Sequence, residues 1–171
     1  TATTIGTTPF VPVPTGATAD CSAPNGVDAA NVTQTYEPAK AFDGKKETAW
    51  RCSGDAAGKT LVVTFAAPVQ LTSVGLDPGF DKIDPTDASD RFVQSRKIQR
   101  VKWTFDDGTS VESTPNGQRG MQTKPVSVRT RTVRMTIEQT TPGSTITNNK
   151  GESLAATDIT AVSEIAFAAV Q

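Results

Sequence analysis

The chain has 171 residues, of which 36% are hydrophobic, and it carries a formal net charge of −1 with no histidine. The balanced charge excludes the broad electrostatic attraction by which many proteins bind nucleic acids or anionic membranes. The lack of histidine removes the commonest general base, and two cysteines alone cannot complete a structural zinc site. The length suits one domain with a hydrophobic core of its own, and the sequence includes no apolar run long enough to cross a bilayer.

The N-terminal residues 1–19 are uncharged and rich in threonine, proline and alanine, a composition typical of a linker. We therefore predict a linker over 1–19 and a folded domain over 20–171. The apolar residues Ile5, Phe10 and Val11 leave room for part of the linker to pack along the domain. Because the first residue is not a methionine, we expect a preceding segment that tethers the domain to a membrane.

Apolar and polar residues alternate with period two in several short segments, which predicts β-strands. The apolar positions are Leu61, Val63, Phe65, Val74, Leu76, Val101, Trp103, Phe105, Val126, Val128, Val133, Met135, Ile137, Ile159, Ile165 and Phe167. Only one helical turn is expected, at Glu37–Phe42, and Trp50 and Trp103 stand at core positions. The pattern favours an all-β fold, a jelly-roll β-sandwich of about eight antiparallel strands.

Two connections, residues 77–97 and 141–157, are too long to be simple turns, and such loops are usually functional or disordered. We expect the second to be merely mobile. We expect the first to be a solvated loop in which Asp-Pro pairs start turns, with a second metal site as the alternative. Its aspartates are Asp77, Asp81, Asp84, Asp87 and Asp90.

The same first connection combines a guanidinium, a carboxylate and aromatic rings, which is typical of a sugar or anion site. Rings stack on the apolar faces of sugars, and charged groups make paired hydrogen bonds to them. The predicted ligand-binding residues are Phe80, Asp90, Arg91, Phe92 and Arg96. The alternative is that a salt bridge between Asp90 and Arg91, or between an aspartate and Arg96, only orders the loop, with Phe92 in the core.

The sequence predicts a tight turn at Asp43-Gly44, and Thr48, with its hydroxyl, follows a few residues later. A hard cation such as Ca²⁺ takes carboxylate, carbonyl and hydroxyl oxygens, and Asp43 with Thr48 could supply them. Glu164 could complete the set if the last strand lies beside the turn. The alternative is an aspartate that only caps its own backbone.

The two cysteines, Cys21 and Cys52, suit a disulfide bond that closes a loop of roughly thirty residues. The polar composition of the chain fits an oxidising compartment, in which such bonds persist. Two buried free thiols are the alternative.

Five basic residues form a stripe on two predicted strands, here called the basic stripe. Charged residues on one face of a strand usually mark the wet face of a sheet, and the lack of interleaved aromatic residues argues against nucleic-acid binding. The residues are Arg100, Lys102, Arg129, Arg131 and Arg134.

The run from Ala41 to Trp50 resembles the A-x-D-G-x-x-x-T-x-W signature of the discoidin family, also called coagulation factor 5/8 type C domains. These are galactose-binding-like jelly-roll sandwiches. Residues 60–65 resemble the first core strand of the family and residues 162–167 its closing strand. Residues 75–108 and the cysteine spacing are similar to an actinobacterial extracellular subgroup, which includes the outer domain of mycobacterial pseudokinase-linked lipid II flippase-like proteins.

The resemblance implies one structural calcium ion, held by side-chain oxygens of Asp43, Thr48 and Glu164 and by the carbonyl of Lys40. It also implies a ligand site on the loops at one end of the sandwich. We therefore expect a non-catalytic extracytoplasmic carbohydrate-binding-type domain that recognises a cell-envelope glycan or glycopeptide. The domain would belong to a larger membrane protein of cell-wall biosynthesis.

Two other functions stay open at this stage. The first is a protein-interaction or structural domain with no sugar site, which docks a partner through the basic stripe or the first long connection. The second is a glycosidase, because paired carboxylates occur in that connection. The small all-β frame favours a domain that is not an enzyme.

Overall fold

The computed structural model describes residues 7–28 and 30–171. In this part of the chain there are thirteen strands, a 3-10 helix at Pro38–Phe42 and one α-helical turn, α1, at Arg91–Gln94. The strands are β1 (Pro9–Phe10), β2 (Gly16–Ala19), β3 (Gly26–Val27), β4 (Thr33–Gln34), β5 (Trp50–Ser53), β6 (Thr60–Asp77), β7 (Lys97–Phe105), β8 (Ser110–Ser113), β9 (Gln122–Thr141), β10 (Ile146–Thr147), β11 (Ser153–Leu154), β12 (Ile159–Val162) and β13 (Glu164–Val170).

The main sheet has the antiparallel order β1-β13-β6-β9-β7-β8, and β2 pairs with the first half of β6. The register of β6 against β9 shifts between Thr64 and Val69. Before this shift β6 pairs with β2, and after it β6 pairs with β13. The bent strands let the sheet fold over one core, which confirms the predicted all-β sandwich. The sequence pattern divided β6 in two because Ala66-Ala67-Pro68 interrupts the alternation without ending the strand.

The core lies between the two halves of this folded sheet. The ring of Phe167 on β13 meets Phe65 on β6 at 5.3 Å and Trp103 on β7 at 6.2 Å, edge to face in both cases. Trp50 and Trp103 are almost fully buried, as their positions predicted. Apolar side chains of β6, β7, β9 and β13 thus form one continuous core.

Part of the segment predicted as a linker belongs to the sheet. Pro9 and Phe10 pair with β13, and residues 16–19 pair with β6. Phe10 packs against the core, whereas Val11 is exposed and Ile5 lies outside the described residues. The described end of this segment therefore runs along the sandwich, as its apolar residues allowed.

The first long connection is not the solvated loop that its composition predicted. Asp77, Asp81 and Asp84 are 4%, 5% and 3% exposed. The turn prediction holds at Asp84, where a carboxylate oxygen accepts a hydrogen bond from the Thr86 N–H at 3.1 Å. Arginines from helix α1 and from the loop before β9 pair with these carboxylates, and local composition does not reveal such distant partners. The described residues contain no cluster of three metal-ligating side chains, so the alternative of a metal site in this loop gains no support.

The second long connection also differs from its prediction, because it contains a β-hairpin of β10 and β11. The side chain of Asn148 in its turn is buried and donates a hydrogen bond to Glu152 at 2.7 Å. The Asn149 N–H donates to the Asp87 carbonyl at 2.8 Å, which ties the hairpin to the first connection. Within the described chain, no helix combines the length and the hydropathy needed to cross a bilayer.

Cys21 and Cys52 form the predicted disulfide bond, with their Cα atoms 5.5 Å apart. Beside it, the indole N–H of Trp50 donates a hydrogen bond to the Cys21 carbonyl at 2.9 Å. The bond therefore attaches the segment before β3 to strand β5. Arg51, which lies between Trp50 and Cys52 on this strand, lines the site described below.

Candidate functional site

A cleft of about 250 Å³ lies at one end of the sandwich, between the β3–β4 hairpin, strand β5 and the first long connection. Its size is somewhat below the ~300–1,000 Å³ of pockets for drug-sized ligands, so it suits one sugar ring or a group of similar size. Aromatic rings, charged groups and neutral polar groups converge on it. The lining residues are Gly26, Val27, Asp28, Gln34, Tyr36, Arg51, Phe80, Lys82, Asp84, Arg91, Gln94, Ser95 and Thr157.

Strand β5 brings Arg51 into the wall of this cleft. Side chains alternate along a strand, and because Trp50 and Cys52 are buried in the core, Arg51 between them points away from it. Its backbone is held on both sides, since it is opposite Ala161 of β12 and its N–H donates to the Tyr36 carbonyl at 3.2 Å. The disulfide bond and the buried Trp50 thus fix the strand from which the guanidinium projects.

The guanidinium of Arg51 lies between two aromatic rings. Its central carbon is 4.0 Å from the centroid of the Tyr36 ring and 5.2 Å from that of Phe80. The Nε atom is buried without a hydrogen-bond partner, and no described carboxylate forms a salt bridge with this side chain. Burial lowers the pKa of the guanidinium, Tyr36 partly offsets this effect, and the neighbouring charge of Arg91 lowers the pKa further.

Helix α1 supplies the opposite wall. The Asp90 carboxylate caps it by accepting hydrogen bonds from the N–H groups of Phe92 and Val93 at 3.1 and 3.3 Å. This orients Arg91, whose Nη1 donates to the Gln94 side chain at 2.7 Å and whose Nη2 donates to the Asp84 carboxylate at 3.2 Å. Arg91 is thus neutralised within the wall, unlike Arg51.

The remaining charged groups of the cleft are Asp28 and Lys82. The two carboxylate oxygens of Asp28 accept hydrogen bonds from Ala30, Val32 and Gln34 of its own hairpin, at 2.9 to 3.0 Å. Through these hydrogen bonds the carboxylate stabilises the turn between β3 and β4. Among the described residues, Lys82 has no salt bridge, although its charge acts on the Asp28 carboxylate. The lining holds three basic and two acidic side chains, which leaves one excess positive charge.

The predicted ligand-binding residues divide between this cleft and the structure around it. Phe80 and Arg91 line the cleft. Asp90 caps α1 and accepts hydrogen bonds from Arg119 at 2.6 Å, while Phe92 is 5% exposed beneath the same guanidinium at 4.7 Å. Arg96 pairs with Asp158 and with Asp55. For Asp90, Phe92 and Arg96 the structure thus shows the internal contacts of the alternative interpretation.

Sequence reasoning missed Tyr36 and Arg51, whose ring and guanidinium lie 4.0 Å apart in the cleft. The alternation around Trp50 and Cys52 could have placed Arg51 on the outer face of β5. Nothing local indicated that Tyr36, fifteen positions earlier, would lie against it, because that contact depends on the Cys21–Cys52 region and the β3–β4 hairpin.

The Asp43 turn forms a second cluster of oxygen atoms. The Thr48 hydroxyl lies 2.8 and 2.7 Å from the two Asp43 carboxylate oxygens and 2.8 Å from the Lys45 carbonyl. The Lys45 N–H donates both to Asp43 at 3.0 Å and to Glu164 at 2.8 Å, so strand β13 does lie beside the turn. Lys40 stands in the 3-10 helix directly before it.

Asp43 lies close enough to Glu164 to affect the pKa of that carboxyl. Burial raises the pKa of Glu164 to about 7, with a further rise from Asp43, while the Lys45 N–H acts in the opposite direction. The ammonium of Lys46 lies 3.9 Å from Asp81 instead, and no described lysine pairs with Asp43 or Glu164. Two adjacent carboxylates, a hydroxyl and carbonyl oxygens make a donor set that fits a hard cation. The Asp43 oxygens also cap the turn through Lys45, so both interpretations of the turn agree with its geometry.

The residues of the basic stripe lie on the solvent face of the main sheet, and all five are exposed. Arg100 pairs with Glu138 at 2.9 Å, and Arg131 donates to the Phe65 carbonyl at 3.1 Å. The stripe is thus a wet sheet face with partial internal pairing, away from the cleft.

Comparisons with known proteins agree with this architecture. The sequence profile described as "F5/8 type C domain" matches residues 21–150. No curated protein sequence matches the chain with statistical significance.

Among solved structures, the family 32 carbohydrate-binding module of C. perfringens NanJ, in complex with galactose, is similar, with 14% identity and a TM-score of 0.58. That match covers 94% of this chain and 99% of the module. The C. perfringens module CpGH89CBM32-5, in complex with GalNAc-β-1,3-galactose, has 13% identity and a TM-score of 0.58, covering 89% of this chain and 93% of that one. The family 32 module of AlyQ, in complex with 4,5-unsaturated mannuronic acid, has 13% identity and a TM-score of 0.55, covering 92% and 97%.

At these identities the structural likeness concerns the fold, and it confirms the predicted jelly roll. The family profile extends from Cys21, the first cysteine of the disulfide, across β9 and the β10–β11 turn, and thus includes every wall of the cleft except Thr157. The chain therefore belongs to the F5/8 type C domain family, as its Ala41–Trp50 motif indicated.

Proposed function

We propose that this domain is a non-catalytic carbohydrate-binding module that holds a glycan in the cleft between Tyr36, Arg51, Phe80 and Arg91. The observation that carries the proposal is the cleft itself, in which aromatic and polar side chains converge at one end of the sandwich. Modules of similar fold that have been solved with galactose, GalNAc-β-1,3-galactose and 4,5-unsaturated mannuronic acid support this class of ligand.

The proposal extends to the place of the domain in the cell. The disulfide bond supports an oxidising, extracytoplasmic location. We infer that the domain is tethered through its N-terminal segment to a larger membrane protein of cell-wall biosynthesis, in the actinobacterial subgroup that residues 75–108 resemble. Its ligand would then be a cell-envelope glycan or glycopeptide.

A glycan array together with a pulldown on cell-wall material tests the binding proposal. The informative variant is Tyr36→Leu, which removes the ring face from the cleft and keeps much of the side-chain volume. The matched control is Phe42→Leu, because Phe42 stacks on Phe167 at 6.3 Å on a different part of the sandwich. We expect at least a ten-fold weaker retention for Tyr36→Leu and unchanged retention for Phe42→Leu.

The same assay separates the alternatives. If the domain binds no glycan on the array and recovers one specific protein partner, the result would favour a protein-interaction domain and contradict the proposal. Retention that is equal in Tyr36→Leu and in the wild type would place the sugar outside this cleft. Turnover of wall fragments by the purified domain would contradict its non-catalytic role.

We also propose that the Asp43 turn binds one structural Ca²⁺ ion through Asp43, Thr48, Glu164 and the carbonyl of Lys40. The crowded oxygen atoms and the raised pKa of Glu164 support it, since a cation would relieve the repulsion between the two carboxylates. Calorimetry on chelator-treated protein is the direct test. We expect heat of binding and a higher melting temperature with Ca²⁺, and the absence of both would overturn the proposal.

A further inference from the structure

The strongest unexplained feature of the cleft is the isolated charge of Arg51. Its guanidinium is stacked at 4.0 Å on Tyr36, and its Nε is buried without an acceptor. A desolvated cation costs stability unless an anion or a set of hydrogen-bond acceptors compensates it. Ring faces compensate only in part, since a cation–π contact supplies no hydrogen-bond acceptor for the N–H groups.

The neighbouring polar side chains make hydrogen bonds to groups other than Arg51. Asp84 accepts from Arg91, and Asp28 accepts from its own hairpin. The Gln94 carbonyl oxygen accepts from Arg91, and its amide donates to the Ala155 carbonyl at 2.9 Å. No hydrogen bond joins the Arg51 side chain to these described groups, so a ligand can supply its acceptor.

The shape of the guanidinium also determines how Arg51 can bind. The group is planar and lies over the Tyr36 ring, and its N–H groups donate in the plane of the group. The Nη atoms make no hydrogen bond to the described residues, and the Arg51 side chain lines the cleft. A planar fork of donors matches a carboxylate, which accepts two parallel hydrogen bonds.

We propose that the cleft selects an acidic sugar and that Arg51 binds its carboxylate, with Lys82 as a second cation at the same site. This inference rests on the proposed carbohydrate-binding function and names its ligand class: a sugar ring that bears a carboxylate. The cleft volume of about 250 Å³ accommodates one sugar ring beside the aromatic side chains.

The test compares matched sugars by isothermal calorimetry on the whole domain at low salt. The pairs are galactose with galacturonate and glucose with glucuronate, and N-acetylneuraminate and N-acetylmuramate distinguish other sources of the carboxylate. Glucose 6-phosphate serves as the non-carboxylate anion. We expect at least one acidic sugar to bind ten-fold or more tightly than its neutral counterpart, with an affinity that falls as salt is added.

Two variants assign the preference to a residue. Arg51→Gln removes the charge within the cleft, and Lys102→Gln removes one charge from the exposed face of the main sheet, far from the cleft. We expect Arg51→Gln to bind acidic and neutral sugars equally and Lys102→Gln to keep the preference. Thermal unfolding of both variants checks that the fold is intact.

The outcomes distinguish this inference from the function on which it rests. Neutral sugars that bind as tightly as acidic ones would overturn the acidic preference and leave the glycan function standing. Binding of glucose 6-phosphate without binding of any carboxylate would overturn the assignment to a carboxylate. A preference that survives in Arg51→Gln would remove Arg51 from the site, and no binding of any sugar would contradict both proposals.

Discussion

The guanidinium of Arg51 stacks on the ring of Tyr36 at 4.0 Å and forms no salt bridge with a described carboxylate, whereas Arg91 in the facing wall pairs with the buried Asp84 at 3.2 Å. The two arginines line the same cleft in opposite electrostatic states. One is available to a ligand, and the other holds the protein together. Their variants should therefore behave differently.

We expect Arg91→Ala to lower the free energy of unfolding by about 1–3 kcal/mol, because it leaves the Asp84 carboxylate, 3% exposed, without its cation. The matched variant Arg51→Gln should lower it by less than Arg91→Ala does, since no carboxylate loses its partner and the relief of desolvation offsets part of the lost contact with the rings. Urea denaturation measures both values. Equal effects of the two substitutions would contradict the assignment of Arg91 to structure and Arg51 to binding.

Removal of the Cys21–Cys52 bond should destabilise the domain. The bond joins residues 31 positions apart, and a loop of this size is worth about 3–4 kcal/mol in the chain-entropy model. The paired substitution Cys21→Ala with Cys52→Ala should lower the free energy of unfolding by about 2–4 kcal/mol and weaken ligand retention, because β5 carries Arg51. Chemical denaturation without reductant tests this, and a stability within 1 kcal/mol of wild type would be evidence that packing around Trp50 suffices.

Asp77 should make stability fall as the pH rises toward about 7. Burial and the neighbouring Asp81 raise its pKa to about 7. The unfolded chain releases this proton near the ordinary value of 3.8 and the folded state releases it at about 7. Stability therefore falls between these two pH values and levels off above about 7.

We expect Asp77→Asn to be more stable than wild type at pH 8, by on the order of 1 kcal/mol or more. The amide can still accept from Gly120, which donates to Asp77 at 3.3 Å, and can donate to Asp81 as the protonated carboxyl does. The free energy of unfolding is measured for wild type and Asp77→Asn from pH 5 to 8. The difference between the two curves reports Asp77 alone, because other titrating groups are common to both proteins. A difference that does not change with pH would show that Asp77 is ionised throughout.

Calcium should change the pH dependence that Glu164 confers. Without the ion, its pKa of about 7 makes stability decrease as the pH rises from 4.5 to about 7, because the ionised carboxylate is partly buried and faces Asp43. With about 5 mM Ca²⁺, above the ~0.1–1 mM dissociation constants of extracellular calcium modules, the decrease should diminish.

The variant Glu164→Gln tests whether the calcium response and the pH dependence both depend on this carboxylate. It should lose most of the calcium-dependent rise in melting temperature and also the decrease in the chelator-treated protein between pH 4.5 and about 7. Glu112→Gln, which changes a carboxylate on β8 away from the turn, is the matched control. A calcium response that persists in Glu164→Gln would place the ion elsewhere.

Much of the fold could be predicted because its determinants are local. Alternation along β6, β7 and β9 identified the buried face, and Leu61, Val63 and Phe65 are buried as their spacing required. The motif around Asp43 and Trp50 identified the family, since the turn, the hydroxyl of Thr48 and the buried indole occur at short fixed spacings. Strands of two residues, such as β1 and β10, carry no alternation and could not be seen.

The sequence by itself thus determined the sandwich and favoured the disulfide bond, and it singled out the Asp43 turn. Only the tertiary structure decided which charges are free. Asp90 and Phe92, which looked like ligand-binding residues, are held by Arg119 from a distant loop, while Arg51, between two core residues, faces the cleft. The reason is physical: whether a buried charge is neutralised depends on partners that the fold brings from far along the chain, and no local pattern encodes them.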